Sequence, residues 1–130
     1  MAIAILQVVK TILYILLYAA LNVSGAALIK WQLRGKALTT LNEWFSLMLN
    51  LPFVIAFGFI VLSALALFKA LSTNNFSLII PLATGINFLL TVAVGYYLFQ
   101  DKLSALSLIG FVLIIMGIIV LSLNNSGYAN

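Results

Sequence analysis

Long apolar runs, interrupted by very few charged side chains, constrain the fold of this chain more than any other feature. Only six Lys or Arg and two Asp or Glu occur among its 130 residues, and its mean hydropathy is +1.28. Ordinary soluble domains are about 25% charged, and a domain of this length leaves roughly a third of its surface in water. Because one soluble core could not hide so much apolar surface, the sequence predicts an integral membrane protein.

Four of these runs are long enough for a helix to cross the membrane, which takes about 20 apolar residues. The predicted spans are approximately residues 3–32, 45–71, 76–99 and 104–123. We therefore expect an all-α, multi-pass fold with a single membrane domain over residues 1–130. The first run could also be a signal peptide, with Lys10 in its n-region and Ser24-Gly25-Ala26 as its cleavage site. The three spans that follow favour a retained helix.

Composition also narrows the function. Cys and His are absent, which removes disulfides, thiol nucleophiles and the commonest metal ligand. The two acidic residues, Glu43 and Asp101, fall in predicted loops and form no pair for acid–base chemistry. The basic residues are scattered, which argues against a nucleic-acid partner. We therefore expect neither an enzyme nor a bound metal or cofactor.

The first span carries a polar stripe. Placed at 100° per residue, its members fall within about 80° of one another. They are Gln7, Thr11, Tyr14, Tyr18, Asn22, Gly25 and Ile29. Unpaired polar groups are costly in hydrocarbon, so this stripe must face protein or water. Interhelical hydrogen bonding and the wall of a substrate chamber both fit the pattern.

The third span has a similar face. Pro81 lies one turn inside it and should bend or loosen the helix, because proline removes a backbone hydrogen bond. Hydroxylated, small and aromatic residues share its side of the helix: Thr84, Phe88, Thr91 and Gly95. We expect this face to line the chamber opposite the tyrosines and Asn22 of the first span.

The second and fourth spans show packing faces. In the second span the face consists mostly of small residues: Ala56, Phe59, Ser63, Ala66 and Ala70. In the fourth it is a stripe of glycine and leucine, with Gly110 and Gly117 one heptad apart, which lets another backbone approach closely. The predicted dimer interface comprises Gly110, Leu113, Ile114, Gly117 and Leu121.

The basic residues predict orientation. Lys10 and Lys69 lie on the side of the termini and the second loop. The first and third loops carry Lys30, Arg34, Lys36 and Lys102. The positive-inside rule places these two loops in the cytoplasm and both termini outside. The difference between four basic residues on one side and two on the other is small, so insertion in both orientations remains an alternative.

Several segments together resemble the drug/metabolite transporter superfamily. They are Pro81-x3-Gly85 through Gly95, the turn Gln100-Asp101-Lys102-Leu103-Ser104, and Ile109-Gly110-x2-Leu113-Ile114-Ile115-x-Gly117. The segment Leu67–Ser72 is also similar to the EamA pattern. The chain looks most like the four-helix members, the small multidrug resistance proteins and the short EamA-like proteins. That resemblance implies a half-transporter, in which three helices wall a substrate chamber and the fourth dimerises, often antiparallel.

One departure from the small multidrug resistance pattern concerns the substrate. In that group the first helix carries a membrane-embedded glutamate, followed by a glycine motif and a lysine. The matching positions here are Asn22, Gly25 and Lys30, and asparagine cannot titrate. Another branch lacks the glutamate, and the chain resembles its subunits, which flip aminoarabinose-phosphoundecaprenol. With Lys30, Lys69 and no acid near it, the chamber is expected to bind a phosphate.

The leading hypothesis is a small transporter of the inner (plasma) membrane that flips or exports an anionic lipid-linked or amphipathic substrate. It would act as a homodimer or as a heterodimer with a paralogue. The predicted substrate-binding residues are Tyr14, Tyr18, Asn22, Lys30, Ser63, Lys69, Pro81, Thr84, Phe88 and Thr91. One alternative is an exporter of small cationic or guanidinium-like compounds. The other is a non-transporting accessory subunit, which would need the glycine face but not the polar stripe.

Overall fold

The computed structural model describes residues 1–127, with the side chains of residues 121, 122 and 124–127 outside the described set. The helices are α1 (Ala2–Leu33), α2 (Leu41–Met48), α3 (Leu51–Ser72), α4 (Phe76–Tyr97) and α5 (Ala105–Gly127). No strand occurs within residues 1–127. The expected all-α class is confirmed.

Three of the helices, α1, α3 and α4, are long and apolar enough to cross a membrane. In α5 the apolar stretch found among the described residues, Ala105–Val120, is shorter. The structure therefore supports a membrane protein with three candidate spans, and the fourth span stays a prediction.

The second predicted span differs from the helix observed there. Its first residues belong to a separate helix, α2, and α3 begins only at Leu51. Pro52 occupies the first turn of α3, where its missing N–H costs little, but it cannot continue a helix from upstream. Asn50 accordingly adopts an extended conformation as the N-cap of α3.

Helix α2 has a strong local start signal. Thr40 and Glu43 form a capping box, in which each side chain accepts a hydrogen bond from the backbone N–H of the other. The Glu43 carboxylate accepts from the backbone N–H of Thr39 at 2.7 Å and of Thr40 at 3.2 Å. These two bonds lower the pKa of the Glu43 carboxyl below its ordinary value, because they stabilise the charged form. The bond from the Thr39 N–H has the larger effect.

The centre of the structure is α1, which packs along α3 and also against α4. Helix α5 packs on α4 and, among the described residues, on no other helix. The helices α1 and α3 run antiparallel, since Gly25 meets Ala56 while Thr11 lies beside Asn74. The Asn74 amide donates to the Thr11 hydroxyl at 2.9 Å and so links the α3–α4 loop to α1.

The α1–α3 contact is close because small residues face each other. A Cβ added to Gly25 would lie 2.7 Å from the Ala56 carbonyl oxygen and 2.8 Å from Ile60 Cγ1. On α3 the predicted small-residue face is confirmed: its buried members are Ala56, Ser63, Ala66 and Ala70. The two backbones can approach only because these side chains leave room.

The α4–α5 contact is made by Gly85 and Phe88 of α4. A Cβ on Gly85 would lie 3.0 Å from Ile118 Cγ2. The Phe88 ring meets Phe111 edge-on, with 5.5 Å between ring centroids. Helix α4 continues through Pro81 without a break, so the proline does not divide it.

Candidate functional site

A pocket with mostly apolar walls and four polar side chains opens between the C-terminal halves of α1 and α4. It has a volume of about 150 Å³. Its lining comes from α1, from α4 and from the turn that follows α4: Asn22, Val23, Ala26, Ala27, Lys30, Thr91, Val94, Gly95, Phe99 and Asp101. The polar faces predicted on the first and third spans therefore meet here, in part.

The pocket extends along α1 from Lys30 towards the middle of the helix. Lys10 and Lys30 are separated by about 30 Å along α1, which matches the thickness of the hydrocarbon core. A bilayer spanned by this part of α1 would have Lys30 at one boundary. Asn22, about 12 Å from Lys30 along the same helix, would then lie inside the apolar layer.

Lys30 stands at the mouth of this pocket and has two partners. Its Nζ lies 3.6 Å from Asp101 Oδ1 and 4.8 Å from the centroid of the Phe99 ring. Both charged side chains are about half exposed, at 57% and 47%. Exposed ion pairs contribute about 0–1 kcal/mol, and an exposed cation–π contact about 0.5–1 kcal/mol. A ligand of either charge can therefore compete with these contacts.

The turn after α4 brings Asp101 to this position. Gln100 adopts a left-handed conformation with φ of 54°, which reverses the chain. The Asp101 N–H then donates to the Gly95 carbonyl oxygen at 2.9 Å, folding the aspartate back over the end of α4. A Cβ on Gly95 would lie 2.7 Å from Asp101 Oδ2, so glycine leaves the room that the carboxylate occupies.

The expectation that no acid lies near the chamber is contradicted by Asp101, which lines the pocket and contacts Lys30. That expectation is wrong because the sequence placed this residue in a loop without showing where the loop folds. The Gln100-Asp101-Lys102 turn was visible as a signal, but the return of its aspartate onto α1 depends on the tertiary structure.

Asn22 links the pocket to α3. Its Nδ2 donates to Ser63 Oγ at 3.4 Å, and the Ser63 hydroxyl donates in turn to the carbonyl oxygen of Ile60. Ser63 is 1% exposed and does not line the pocket. It holds Asn22 in place, whereas Asn22 itself can contact a ligand.

Thr91 supplies the polar group on the α4 side. Its hydroxyl donates to the Asn87 carbonyl oxygen at 2.7 Å and keeps its lone pairs available as acceptors. One turn earlier, the side-chain Oδ1 of Asn87 is buried and has no hydrogen-bond partner among the described residues. Polar groups thus continue down α4 from the pocket.

The remaining predicted binding residues lie elsewhere. Tyr14 and Tyr18 pack against a buried apolar cluster of α1, α3 and α4 formed by Ile15, Ala70, Ile79 and Ala83. Phe88 packs against α5, and neither Pro81 nor Thr84 belongs to the pocket lining. Substrate contacts by these residues stay predictions.

The two lysines predicted near the chamber lie at opposite ends of the helices. Lys69 precedes Ala70, which packs against Ile15. Ile15 and Lys30 are about 22 Å apart along α1. Lys69 is exposed, so Lys30 is the cation of this pocket and Lys69 belongs to the other membrane boundary.

The face predicted for dimerisation is open. A Cβ added to Gly110 or Gly117 would meet no atom of the described residues within 4 Å. Leu113 and Ile114 are exposed, and the Leu121 side chain lies outside the described set. The face is free to take a partner, while the dimer itself stays a prediction.

Comparisons with protein families, curated proteins and solved structures find no match to this chain.

Proposed function

We propose that this chain is one subunit of a small four-span transporter of the inner membrane that flips or exports an anionic, lipid-linked or amphipathic substrate. The observation that carries the proposal is Lys30, held by a weak ion pair at the mouth of this pocket. The substrate's head group would displace Asp101 from Lys30. Asn22 and Thr91 would then meet it deeper in the membrane.

The chemistry of the pocket suits a phosphate. Lysine is a common phosphate ligand as a point charge, and the Asn22 amide adds a donor below it. Hydrogen bonds to charged groups contribute about 1.5–3 kcal/mol each. A phosphate monoester carries more charge than the Asp101 carboxylate near neutral pH, so it competes well for the ammonium group.

The pocket is large enough for a head group but not for a whole lipid-linked substrate. Sites for drug-sized ligands usually have about 300–1,000 Å³, whereas this pocket has about 150 Å³. A head group fits, and its tail would stay between helices in the lipid. The proposed dimer would form through the Gly110/Gly117 face of α5, a helix that does not line this pocket. Such a dimer accords with the resemblance to four-helix half-transporters.

A second candidate, export of a small cation, is favoured by Asp101 and Phe99. The Lys30 ammonium lies between a carboxylate and an aromatic ring. That pair of groups also recognises quaternary ammonium and guanidinium ligands. A cationic substrate would replace Lys30 in this position.

Two ligands with the same tail and opposite charge separate these candidates. We would measure the binding of dodecyl phosphate and dodecyltrimethylammonium to the protein in lipid nanodiscs by calorimetry. The anionic proposal predicts tighter binding of dodecyl phosphate. Lys30→Gln should weaken it about tenfold, equivalent to ~1.4 kcal/mol. Asp101→Asn should strengthen it, because the competing carboxylate is removed.

Lys102→Gln is the matched control, since it removes one positive charge next to Asp101 without touching the pocket lining. Equal losses for Lys30→Gln and Lys102→Gln would refute a specific role for Lys30. Tighter binding of dodecyltrimethylammonium, lost in Asp101→Asn, would establish the cationic candidate instead. If neither ligand binds and a phosphorylated fluorescent lipid is not flipped in proteoliposomes, the accessory-subunit alternative stands.

A further inference from the structure

Helix α2 presents an unpartnered apolar face. At 100° per residue, Leu41, Trp44, Phe45 and Met48 lie within about 100° of one another, and all four are exposed. The other side of the helix carries Asn42, Glu43 and Ser46. Leu47, between the two faces, is buried at 4% exposure. The helix is therefore amphipathic, with its protein contact on one edge and its main apolar face open.

The adjoining helices hold α2 at a membrane boundary. The 22 residues of α3 rise about 33 Å, the full thickness of the hydrocarbon core. Its first residue, Leu51, therefore lies at a boundary. Only Leu49 and Asn50 separate α2 from α3, so the end of α2 lies within about 10 Å of that boundary. At its other end α2 follows Lys30, which marks the same boundary.

We propose that α2 lies in the interface of the bilayer, with its Leu41/Trp44/Phe45/Met48 face inserted at the level of the glycerol and upper acyl chains. Tryptophan favours this level because its ring is amphipathic, and an amphipathic helix buries its apolar face about 5–10 Å into this layer. Asn42, Glu43 and Ser46 face the water. This inference does not depend on the transport proposal.

Charge complementarity favours lipid over a protein partner on this face. Lys30, Arg34 and Lys36 lie just before α2 on the same membrane side. Basic residues near a membrane surface are attracted to anionic lipids. They would hold the segment against anionic head groups while the apolar face enters the layer beneath.

The chain offers a direct probe, because it contains only two tryptophans, Trp31 and Trp44. Trp31→Phe leaves Trp44 as the single tryptophan of the full-length protein, and tryptophan can be excited selectively at wavelengths where the five tyrosines do not absorb. We would place this variant in nanodiscs of phosphatidylcholine and phosphatidylglycerol, which expose both membrane faces to an aqueous quencher. Trp44 should be quenched strongly by lipids brominated near the top of the acyl chain, weakly by lipids brominated near its end, and little by iodide.

The matched control moves the probe to the polar face of the same helix. Trp31→Phe, Trp44→Phe and Ser46→Trp together should raise the iodide quenching constant several-fold and reduce quenching by brominated lipid. Equal iodide quenching at both positions would refute the proposal, because α2 would then lie in water. Shielding of Trp44 from both iodide and brominated lipids would also refute it, since a protein surface would then cover the face.

Discussion

Gly25 permits a quantitative test of how closely α1 and α3 pack. In Gly25→Ala the new methyl group would lie 2.7 Å from the backbone carbonyl oxygen of Ala56. A carbon–oxygen contact requires about 3.3 Å, so the helices must separate by about 0.6 Å. Ala56 cannot yield locally, because the atom in question belongs to the backbone of α3.

The cost has two parts. Overpacking of this kind costs about 1–3 kcal/mol. The Asn22–Ser63 hydrogen bond, one turn away on the same interface, is already long at 3.4 Å, and a shift of about 0.6 Å would break it. Replacing glycine by alanine in a helix also stabilises it by up to about 1 kcal/mol, so the raw change in stability would understate the steric effect.

Gly58→Ala supplies the control. Gly58 lies within α3, and a Cβ there would meet no atom within 4 Å. Its gain in helix propensity is the same, so the difference between the two variants isolates the steric effect. We expect Gly25→Ala to be about 1–3 kcal/mol less stable than Gly58→Ala.

The assay is reversible unfolding by sodium dodecyl sulfate in dodecyl maltoside micelles, followed by far-ultraviolet circular dichroism. Equal midpoints for Gly25→Ala and Gly58→Ala would refute the packing argument. A higher midpoint for Gly25→Ala than for Gly58→Ala would refute it more strongly, since the added methyl group would then stabilise the α1–α3 contact.

Three further outcomes are expected. Gly110→Leu or Gly117→Leu should separate subunits in mild detergent, measured by cross-linking and size exclusion; an unchanged oligomer in both variants would contradict the α5 interface. The depressed pKa of Glu43 means that its capping contribution to α2 is present above the ordinary carboxyl pKa of 4.5 and is lost as the pH falls through the lower folded value. Acidification through this lower value should therefore reduce the helix content of α2 in the wild-type protein, measured by far-ultraviolet circular dichroism, and the same loss in Glu43→Gln would show that the carboxylate is not its cause. Replacing Arg34 and Lys36 by glutamine should invert part of the population, and reporters at the C-terminus that never respond would contradict the charge-based orientation.

Much of the secondary structure could be predicted because its determinants are local. A helix can cross the bilayer only if its apolar run is as long as the hydrocarbon core is thick. The lengths of the apolar runs therefore predict α1, α3 and α4 as spans. The small-residue face of α3 was also predictable, since helical periodicity brings Ala56, Ser63, Ala66 and Ala70 to one side. Close helix packing then requires that side to be buried.

The α2 region shows where local signals compete. Thr40 and Glu43 form a capping box, and Pro52 stops any helix that arrives from upstream. Both signals are visible in the sequence. The second span, predicted from about residue 45, nevertheless includes residues 45–50, because hydropathy alone does not distinguish a short amphipathic helix from the start of a transmembrane one.

The candidate site depended on the tertiary structure. The polar stripe of α1 runs along one face of the helix, yet its contacts change from one end to the other. Tyr14 and Tyr18 pack against the buried apolar cluster, whereas Asn22 lies at the pocket. Periodicity identifies which residues share a face, but only the position of neighbouring helices decides what each one touches. Asp101 meets Lys30 because a left-handed residue at Gln100 returns the chain over Gly95. That contact joins residues far apart in sequence, so no local pattern could have indicated it.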